Sequence, residues 1–220
     1  MPTIPCCACE SPVNYDPELY PGHWRPTAYC ENCLGRMREA QAVTLSVKMR
    51  EDGWAKLCPT RFYDTQLSRL PFPENATRAL NWKFEHGHGL NFWGWPDTGK
   101  TRTLFMVLGK LHFAGYDVLV FTPGEFAEEL GKRGYRRDRW VIRVKQCPYV
   151  AWDDFDKMTL TRDQELVLFA ILDYRMSHKL PCLLTHNSKA DELAYKFREG
   201  AALVRRIRQF TKAIHFPEKP

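Results

Sequence analysis

The strongest chemical signal in the chain is the segment 94–101, which has the sequence GWPDTGKT. It matches the G-x4-G-K-[ST] pattern of phosphate-binding loops. The glycines let consecutive backbone N–H groups turn toward phosphate oxygens, and the helix that follows contributes its positive N-terminal end. We expect Lys100 to reach the β- and γ-phosphates of a nucleotide and the Thr101 hydroxyl to bind Mg²⁺. The residues predicted to contact the nucleotide here are Gly94, Asp97, Thr98, Gly99, Lys100, Thr101 and Thr103.

Two adjacent acids complete the pattern of a triphosphate site. They follow the apolar run YVAW (149–152) and are Asp153 and Asp154. We expect Asp153 to hold Mg²⁺, directly or through water, and Asp154 to polarise the attacking water. The alternative is a solvated acidic loop, which the nearby Asp156 makes plausible.

Two later positions are weaker candidates. Asn187 follows the run LLTH, where it would hydrogen-bond the γ-phosphate or the water; the alternative is an ordinary turn or cap residue. Arg206 lies in the cluster RRIR, and it is the favoured candidate for an arginine supplied to a neighbouring subunit's site. The alternatives for this cluster are a solvated basic face or a nucleic-acid contact.

The cysteines at the start of the chain predict a metal site. Five of the eight cysteines lie within the first 33 residues, and four of them form a CxxC…CxxC pair. Four thiolates favour closed tetrahedral Zn²⁺, without which so short a module would hardly fold. The predicted ligands are Cys6, Cys9, Cys30 and Cys33, with Cys7 as a substitute for Cys6 and His23 as a weaker candidate. The alternative is a set of reactive free thiols.

The stretch 132–145 is rich in basic and aromatic residues. It holds seven basic residues and one acid, with Tyr135 and Trp140 between them. Basic side chains can follow a phosphate backbone while aromatic rings stack on bases, so single-stranded DNA is a candidate partner. The alternative is a solvated helix face whose aromatic rings pack inward, and we favour that interpretation for Trp140.

The elements that position these residues alternate between strand and helix. Strands are predicted near 89–93, 117–121, 149–152, 180–185 and 213–216, with helices near 100–114, 124–132, 161–178 and 201–209. This alternation predicts an α/β fold with three layers, a parallel sheet between helices. We expect a zinc-ribbon module at 1–35, a connecting helix at 36–56 and a phosphate-loop ATPase domain at 57–220.

Composition narrows the class of protein. The chain has 220 residues, of which 44% are hydrophobic, so intrinsic disorder is excluded as the main state. Its net charge of +6 permits an anionic partner without proving one. The absence of a long apolar run argues against a membrane span, and the first residues do not resemble a secretory signal. We therefore expect a cytoplasmic protein.

The order of the motifs resembles that of the AAA+ ATPases of the DnaC/IstB type, which are helicase loaders and transposition helper ATPases. The resemblance covers residues 57–216, and its segments are PTRF, GLNFWGWPDTGKT, VAWDDFDK, PCLLTHNSK and ALVRRIRQF. It implies an AAA+ core that forms ATP-dependent homo-oligomers on DNA. Asn187 falls at the sensor-1 position, Arg206 at the trans arginine finger, and Phe62 and Tyr63 near the adenine. Only about a dozen residues follow the arginine cluster, which leaves no room for a C-terminal helical lid.

The resemblance implies a DnaC-like helicase loader that hydrolyses ATP and binds single-stranded DNA and a replicative DNA helicase. One alternative is an IstB-like helper ATPase whose partner is a transposase. The other is a non-hydrolysing adaptor, in which nucleotide binding orders a platform and the zinc ribbon recognises the partner. No guanine-reading Asn/Thr-Lys-x-Asp motif is present, so ATP is expected but not distinguished from GTP.

Overall fold

A computed structural model of the chain describes residues 3–5, 10–14, 31–83 and 88–219. The chain divides into two compact units, Met1–Gly53 and Trp54–Pro220. The division lies close to the expected start of the ATPase domain. In the described part of the chain, no helix is long and apolar enough to cross a membrane.

The first unit contains a small hairpin and most of a long helix. Strands β1 (Thr3–Pro5) and β2 (Pro12–Asn14) pair antiparallel, with Ile4 opposite Val13. Helix α1 (Glu31–Leu57) begins in this unit and ends in the next. It includes the whole of the connecting helix predicted at 36–56 and extends beyond it at both ends.

The second unit is built around one parallel sheet. Its strands are β3 (Gly89–Gly94), β4 (Val118–Phe121), β5 (Tyr149–Trp152), β6 (Cys182–His186) and β7 (Thr211–Phe216). They lie in the order β4-β5-β6-β3-β7, and every neighbouring pair is parallel. The three-layer parallel-sheet fold expected from the sequence is therefore confirmed. Its carboxyl ends bring the polar residues after β3, β5 and β6 to one edge.

Helices cover both faces of this sheet. They are α2 (Pro73–Leu80), α3 (Lys100–Phe113), α4 (Pro123–Gly131), α5 (Tyr135–Gln146), α6 (Arg162–Ser177), α7 (Ala190–Lys196) and α8 (Gly200–Phe210). Short 3-10 turns occupy Thr60–Phe62, Leu67–Arg69 and Phe155–Lys157. One face packs on α2, α3 and the end of α1, whereas the other packs on α4 to α8. Strand alternation explains the division: Leu90 and Phe92 point to the α3 face, and Asn91 and Trp93 point away from it.

A buried arginine ties three elements of the second face together. Arg175, on α6, is fully buried, and its guanidinium donates to the carbonyls of Val144 (2.8 Å), Cys147 (2.7 Å) and Pro181 (2.6 Å). These carbonyls lie at the end of α5 and just before β5 and β6. A buried carbonyl needs a donor, so this one side chain satisfies acceptors that the sheet cannot reach. This role of Arg175 was not predicted from the sequence.

Candidate nucleotide-binding site

The phosphate loop joins β3 to α3 through a backbone that glycine makes accessible. Gly94 and Gly99 have φ values of +127° and +93°. A Cβ atom on Gly94 would lie 2.0 Å from the carbonyl oxygen of Phe216, because β7 runs alongside, so only glycine fits there. Between the glycines, the Thr98 hydroxyl donates to the Trp95 carbonyl at 2.7 Å. The loop is thus fixed by its own contacts.

Lys100 lies inside the loop. Its side chain is 6% exposed, and its ammonium donates to the carbonyl of Gly94 at 2.9 Å and to that of Trp95. Burial lowers the pKa of Lys100, while the carboxylates of Asp154, Asp156 and Asp153 act to raise it. Phosphate oxygens would offer this ammonium charged acceptors in place of two neutral carbonyls.

Asp153 lies beside the first turn of α3. Its Oδ1 accepts hydrogen bonds from the Thr101 hydroxyl at 2.8 Å and from the Thr185 hydroxyl at 2.6 Å. Burial raises the pKa of Asp153, and these two hydrogen bonds oppose that rise. Hydroxyl and carboxylate oxygens are ligands that Mg²⁺ prefers, so Thr101 and Asp153 fit the metal expected here.

Thr185 connects two strands that are not neighbours. It lies on β6, which separates β5 with its acids from β3 with the loop. Its hydroxyl donates to Asp153 and accepts the Asp154 backbone N–H at 2.8 Å. The sequence analysis did not single out Thr185, although a polar residue in the otherwise apolar run CLLT was a signal that could have found it.

Asp154 adopts a left-handed conformation with φ of +54°, directly after β5. Its Oδ2 forms an ion pair with the Lys157 ammonium at 2.7 Å. The carboxylate proposed to polarise water therefore already has a cationic neighbour, which the sequence analysis missed.

Asp156 positions the segment that follows β6. It is 5% exposed, and its Oδ2 accepts the backbone N–H groups of Asn187 (3.2 Å) and Ser188 (3.1 Å) and the Ser188 hydroxyl (2.7 Å). Burial alone would raise the pKa of Asp156, but the Ser188 hydroxyl, Lys196 and the two backbone donors bring it below its ordinary value. Asp156, which made a solvated acidic loop plausible, is therefore itself buried and hydrogen-bonded.

A cavity of 530 Å³ brings most of these residues together. Of the residues predicted from the sequence, it is lined by Phe62, Asp97, Gly99, Lys100, Thr101, Asp154 and Asn187. The sequence analysis did not find Arg61, Arg69, Arg102, Lys157 and Lys219, which also line it. Six basic side chains against two acidic ones suit a polyanion such as a triphosphate.

Phe62 forms the aromatic part of this wall. Its ring stacks on Phe105 of α3 with centroids 5.0 Å apart, and the guanidinium of Arg61 lies 4.6 Å from its centroid. Tyr63, the other residue expected near the adenine, is 40% exposed and does not line the cavity.

Other predicted residues lie outside the cavity wall. Gly94, Thr98 and Asp153 are behind it in the loop and the strand end, where the contacts above hold them. Thr103 is fully buried in α3, and its hydroxyl has no hydrogen-bond partner among the residues that the structure describes.

Arg206 is engaged within its own chain. Its Nε donates to Asp173 Oδ1 at 2.5 Å, and its guanidinium lies 5.3 Å from the ring centroid of Phe169. Both partners belong to α6. The neighbouring Arg205 and Arg208 are exposed.

The predicted zinc ligands fall almost entirely on residues that the structure does not describe. Cys6, Cys9 and Cys30 lie outside the described residues, and Cys33 is buried near the start of α1. Among the described residues, no group of three or more His, Cys, Asp or Glu side chains could hold a metal ion. The zinc site stays a prediction.

The basic stretch forms helix α5. Trp140 packs against Phe121 and Phe126, with centroids 5.3 and 5.4 Å apart, which confirms the favoured inward packing of this ring. Tyr135 is 76% exposed, and Arg133, Arg136, Arg139 and Arg143 are exposed as well. Helix α5 therefore has an exposed basic face, to which the inward-packed Trp140 does not contribute.

Comparison with known proteins agrees with this geometry. No family model matches the chain. A relative found by sequence is the replicative helicase loader DnaI of Bacillus subtilis (strain 168), which is 26% identical over 174 residues. The match covers 74% of this chain and 54% of DnaI, so the chain spans about half the length of that protein.

The solved structures share the same architecture. A crystal structure of DnaI superimposes with a TM-score of 0.60 at 22% identity, covering 72% of this chain and 94% of that one. The chain is similar to DnaI in both sequence and fold. A crystal structure of the DnaC helicase loader gives a TM-score of 0.57 at 19% identity, covering 72% of this chain and 99% of the solved chain. A structure of AMPPCP-bound DnaA from Aquifex aeolicus gives 0.54 at 18% identity, covering 66% of this chain and 45% of the solved chain.

Proposed function

We propose that this chain is an ATP-binding and ATP-hydrolysing helicase loader that acts in DNA replication. The observation that carries the proposal is the 2.8 Å contact between the Thr101 hydroxyl and the Asp153 carboxylate. It joins the phosphate loop to the acid-bearing strand, and these are the two halves that a Mg²⁺-nucleotide site requires. The similarity to DnaI supports the replication role.

Nucleotide binding follows from the loop and its surroundings. Backbone N–H groups of the loop and the N-terminal end of α3 would take the phosphates, with Lys100 as their cation. Thr101 and Asp153 would hold Mg²⁺, which neutralises phosphate charge when bound. DnaA, which shares the fold, was solved with AMPPCP, and this supports ATP as the nucleotide.

Hydrolysis needs groups on both sides of the γ-phosphate. Asp154 is the proposed base that orients water, and it would act after its carboxylate leaves Lys157. Asn187, fixed by Asp156, would hydrogen-bond the phosphate or the water. Arg206 would come from a neighbouring subunit, after release from Asp173.

The partners we propose are a replicative DNA helicase and single-stranded DNA. The helicase is inferred from the loader DnaI, of which this chain spans about half. The DNA is inferred from the exposed arginines of α5. The zinc-ribbon module is proposed to contact the helicase.

ATP turnover by the purified chain tests the enzymatic part. Wild type should hydrolyse ATP with Mg²⁺, with specific activity that rises with protein concentration. Asp154→Asn should lose at least tenfold in turnover and keep nucleotide affinity, whereas Lys100→Ala should lose affinity as well. The matched control Asp163→Asn, an exposed acid of α6, should behave as wild type. Equal turnover in wild type and Asp154→Asn would favour the non-hydrolysing adaptor.

Co-purification tests the partner. The full wild-type chain should retain the replicative helicase of its host when ATP is present. The Lys100→Ala variant should not retain it. Retention of a transposase in place of the helicase would assign the chain to the transposition helpers.

A further inference from the structure

Lys157 stands beside the proposed base in the wall of the nucleotide cavity. Its ammonium donates to Asp154 Oδ2 at 2.7 Å, and both residues line the cavity together with Lys100, Thr101 and Asn187. Asp154 can orient water only after it leaves this ion pair, because a carboxylate oxygen that holds an ammonium is not available to the water. The Lys157 ammonium then needs another acceptor.

The backbone beneath Lys157 is held in place. Lys157 closes the 3-10 turn Phe155–Lys157. Phe155 is fully buried, and Asp156, which is 5% exposed, accepts the backbone N–H of Asn187 at 3.2 Å. The turn is thus fixed against the segment that carries Asn187.

The side chain of Lys157 can move on this fixed backbone. It is 57% exposed, and the side chain of its partner Asp154 is 34% exposed. An ion pair as exposed as this one contributes about 0–1 kcal/mol. The ammonium lies on a flexible four-carbon stem and can turn to a new partner. Little free energy therefore opposes exchange of Asp154 for an acceptor with more negative charge.

A series of hydrogen bonds places this ion pair next to the expected metal site. Asp153 Oδ1 accepts the hydroxyls of Thr101 at 2.8 Å and Thr185 at 2.6 Å, and the Thr185 hydroxyl accepts the Asp154 backbone N–H at 2.8 Å. A Mg²⁺ ion held by Thr101 and Asp153 would bridge oxygens of the β- and γ-phosphates. Asp154 and Lys157 therefore lie on the side of the cavity where the γ-phosphate is expected.

We propose that Lys157 is a catalytic residue that recognises the γ-phosphate: its ammonium leaves Asp154 for a γ-phosphate oxygen, and this exchange frees the Asp154 carboxylate to orient water. The inference rests on the proposed ATPase function. The terminal phosphate of ATP carries more negative charge than one carboxylate and offers the ammonium several charged acceptors. ADP lacks this group, so its complex keeps the ion pair. Release of the base is thereby coupled to the presence of ATP.

Equilibrium binding of AMPPCP and ADP, both with Mg²⁺, tests recognition of the γ-phosphate without hydrolysis. Lys157→Ala should weaken AMPPCP roughly tenfold, as for loss of a hydrogen bond to a charged group, and should leave ADP affinity unchanged. Lys157→Arg keeps the charge and should retain most of the AMPPCP affinity. The matched control is Lys132→Ala, which removes an ion pair with Glu129 at the same spacing but away from the cavity, and it should change neither affinity. Equal effects of Lys157→Ala on the two nucleotides would overturn the inference.

A double-mutant cycle tests the exchange itself. In wild type, the contact of Lys157 with the γ-phosphate is offset by loss of its ion pair with Asp154. In the Asp154→Asn background no charged partner competes, so adding Lys157→Ala should weaken AMPPCP more than it does in wild type. The same loss in both backgrounds would show that Asp154 and the phosphate do not compete for the ammonium.

Turnover at saturating ATP separates recognition from simple restraint. Lys157→Ala should lose roughly tenfold in turnover even though Asp154 is released from its ion pair, because the γ-phosphate loses a cation. A rise in turnover with unchanged AMPPCP affinity would show that Lys157 only restrains the base, and would overturn its assignment as a catalytic residue.

Failure of this inference differs from failure of the proposed function. Wild type that binds neither nucleotide would overturn the proposed function. Wild type that binds and hydrolyses ATP, together with a Lys157→Ala variant that keeps the wild-type preference for AMPPCP over ADP, would overturn the role of Lys157 alone.

Discussion

Asp153 and Asp156 lie three positions apart and experience opposite environments. Asp153 is partly buried beside two hydroxyl donors, and the effect of burial is larger than that of the hydrogen bonds, so its pKa is raised. Asp156 is also buried, but a hydroxyl, two backbone N–H groups and a lysine together lower its pKa. Ionisation of the first carboxylate therefore costs the fold free energy. The second holds the site together.

Replacing Asp153 with Asn should stabilise the nucleotide-free chain. A carboxyl whose pKa is raised in the folded state destabilises the fold once ionised, and the penalty disappears as pH falls through that raised pKa. Asn keeps an acceptor for Thr101 and Thr185 but carries no charge. The melting temperature at pH 7 should rise by a few degrees, since about 1 kcal/mol corresponds to roughly 2–4 °C in a domain of this size.

Thermal melts of wild type and Asp153→Asn between pH 4 and pH 7 check this prediction. The two melting temperatures should be about the same at the acidic end, where the carboxyl of wild-type Asp153 is protonated. Mg²⁺-dependent nucleotide affinity should be lost in the variant. A lower melting temperature at pH 7 would contradict the account of Asp153.

Replacing Asp156 with Asn should have the opposite effect. A carboxyl whose pKa is lowered in the fold stabilises it above the ordinary value of 3.8, and the benefit is lost as pH falls below that value. The variant should lose about 1.5–3 kcal/mol at pH 7, as for hydrogen bonds to a charged group. Urea unfolding at pH 7 and at a pH below 3.8 measures the difference, which should shrink at the lower pH. A constant difference would attribute the effect to packing.

Among the elements, β6 has the central role. It separates the loop strand from the acid strand, and three consecutive residues at its end serve three different places. Thr185 donates to Asp153, His186 lines a cavity of 410 Å³ beneath α7 and α8, and Asn187 lines the nucleotide cavity. Small shifts of this strand end would therefore affect both cavities.

Arg175 is the element-level support for β5 and β6. Arg175→Leu keeps the bulk of the side chain but leaves several buried carbonyls without a donor, at about 1–3 kcal/mol for each unsatisfied group. We expect Arg175→Leu to unfold at a clearly lower urea concentration than wild type. Its ATP site should be lost only when the fold is lost. The exposed Arg162, replaced by Leu on the same helix, is the control and should change little. Equal stability of the two variants would refute the role of Arg175.

For the whole molecule, the role proposed for Arg206 requires a second subunit. Arg206 is bound to Asp173 and does not line its own nucleotide cavity. An arginine that acts in trans leaves each isolated chain slow, because the charge that develops on the transferring phosphoryl group lacks its partner.

Mixing two inactive variants tests this arrangement. Asp154→Asn lacks the base and Arg206→Ala lacks the finger, so a mixed oligomer contains interfaces with both groups intact. A 1:1 mixture should recover activity at roughly one quarter of its interfaces by random assembly, given a trans finger. Activity that stays at the level of the separate variants would place the arginine's function within its own chain.

The sequence by itself predicted much of the fold and part of the site. The alternation of apolar strands and amphipathic helices follows from local periodicity, and the helix predicted near 161–178 is α6, which begins at a Thr161–Gln164 capping box. Helix α5 was considered only as an alternative for the basic stretch, and α7 was missed because it is short and polar at its start. The phosphate loop was found because its backbone chemistry requires a fixed local spacing.

Contacts between distant segments were decided by the tertiary structure alone. The strand order placed Thr185 between Asp153 and the loop, buried Asp156 against Ser188, and gathered cations from residues as far apart as Arg61 and Lys219 into one cavity. It also enclosed Asn91 and His186 beneath α7 and α8. Local sequence encodes backbone preference and periodicity, whereas burial, pKa and the pairing of polar atoms depend on neighbours that only the folded chain brings together.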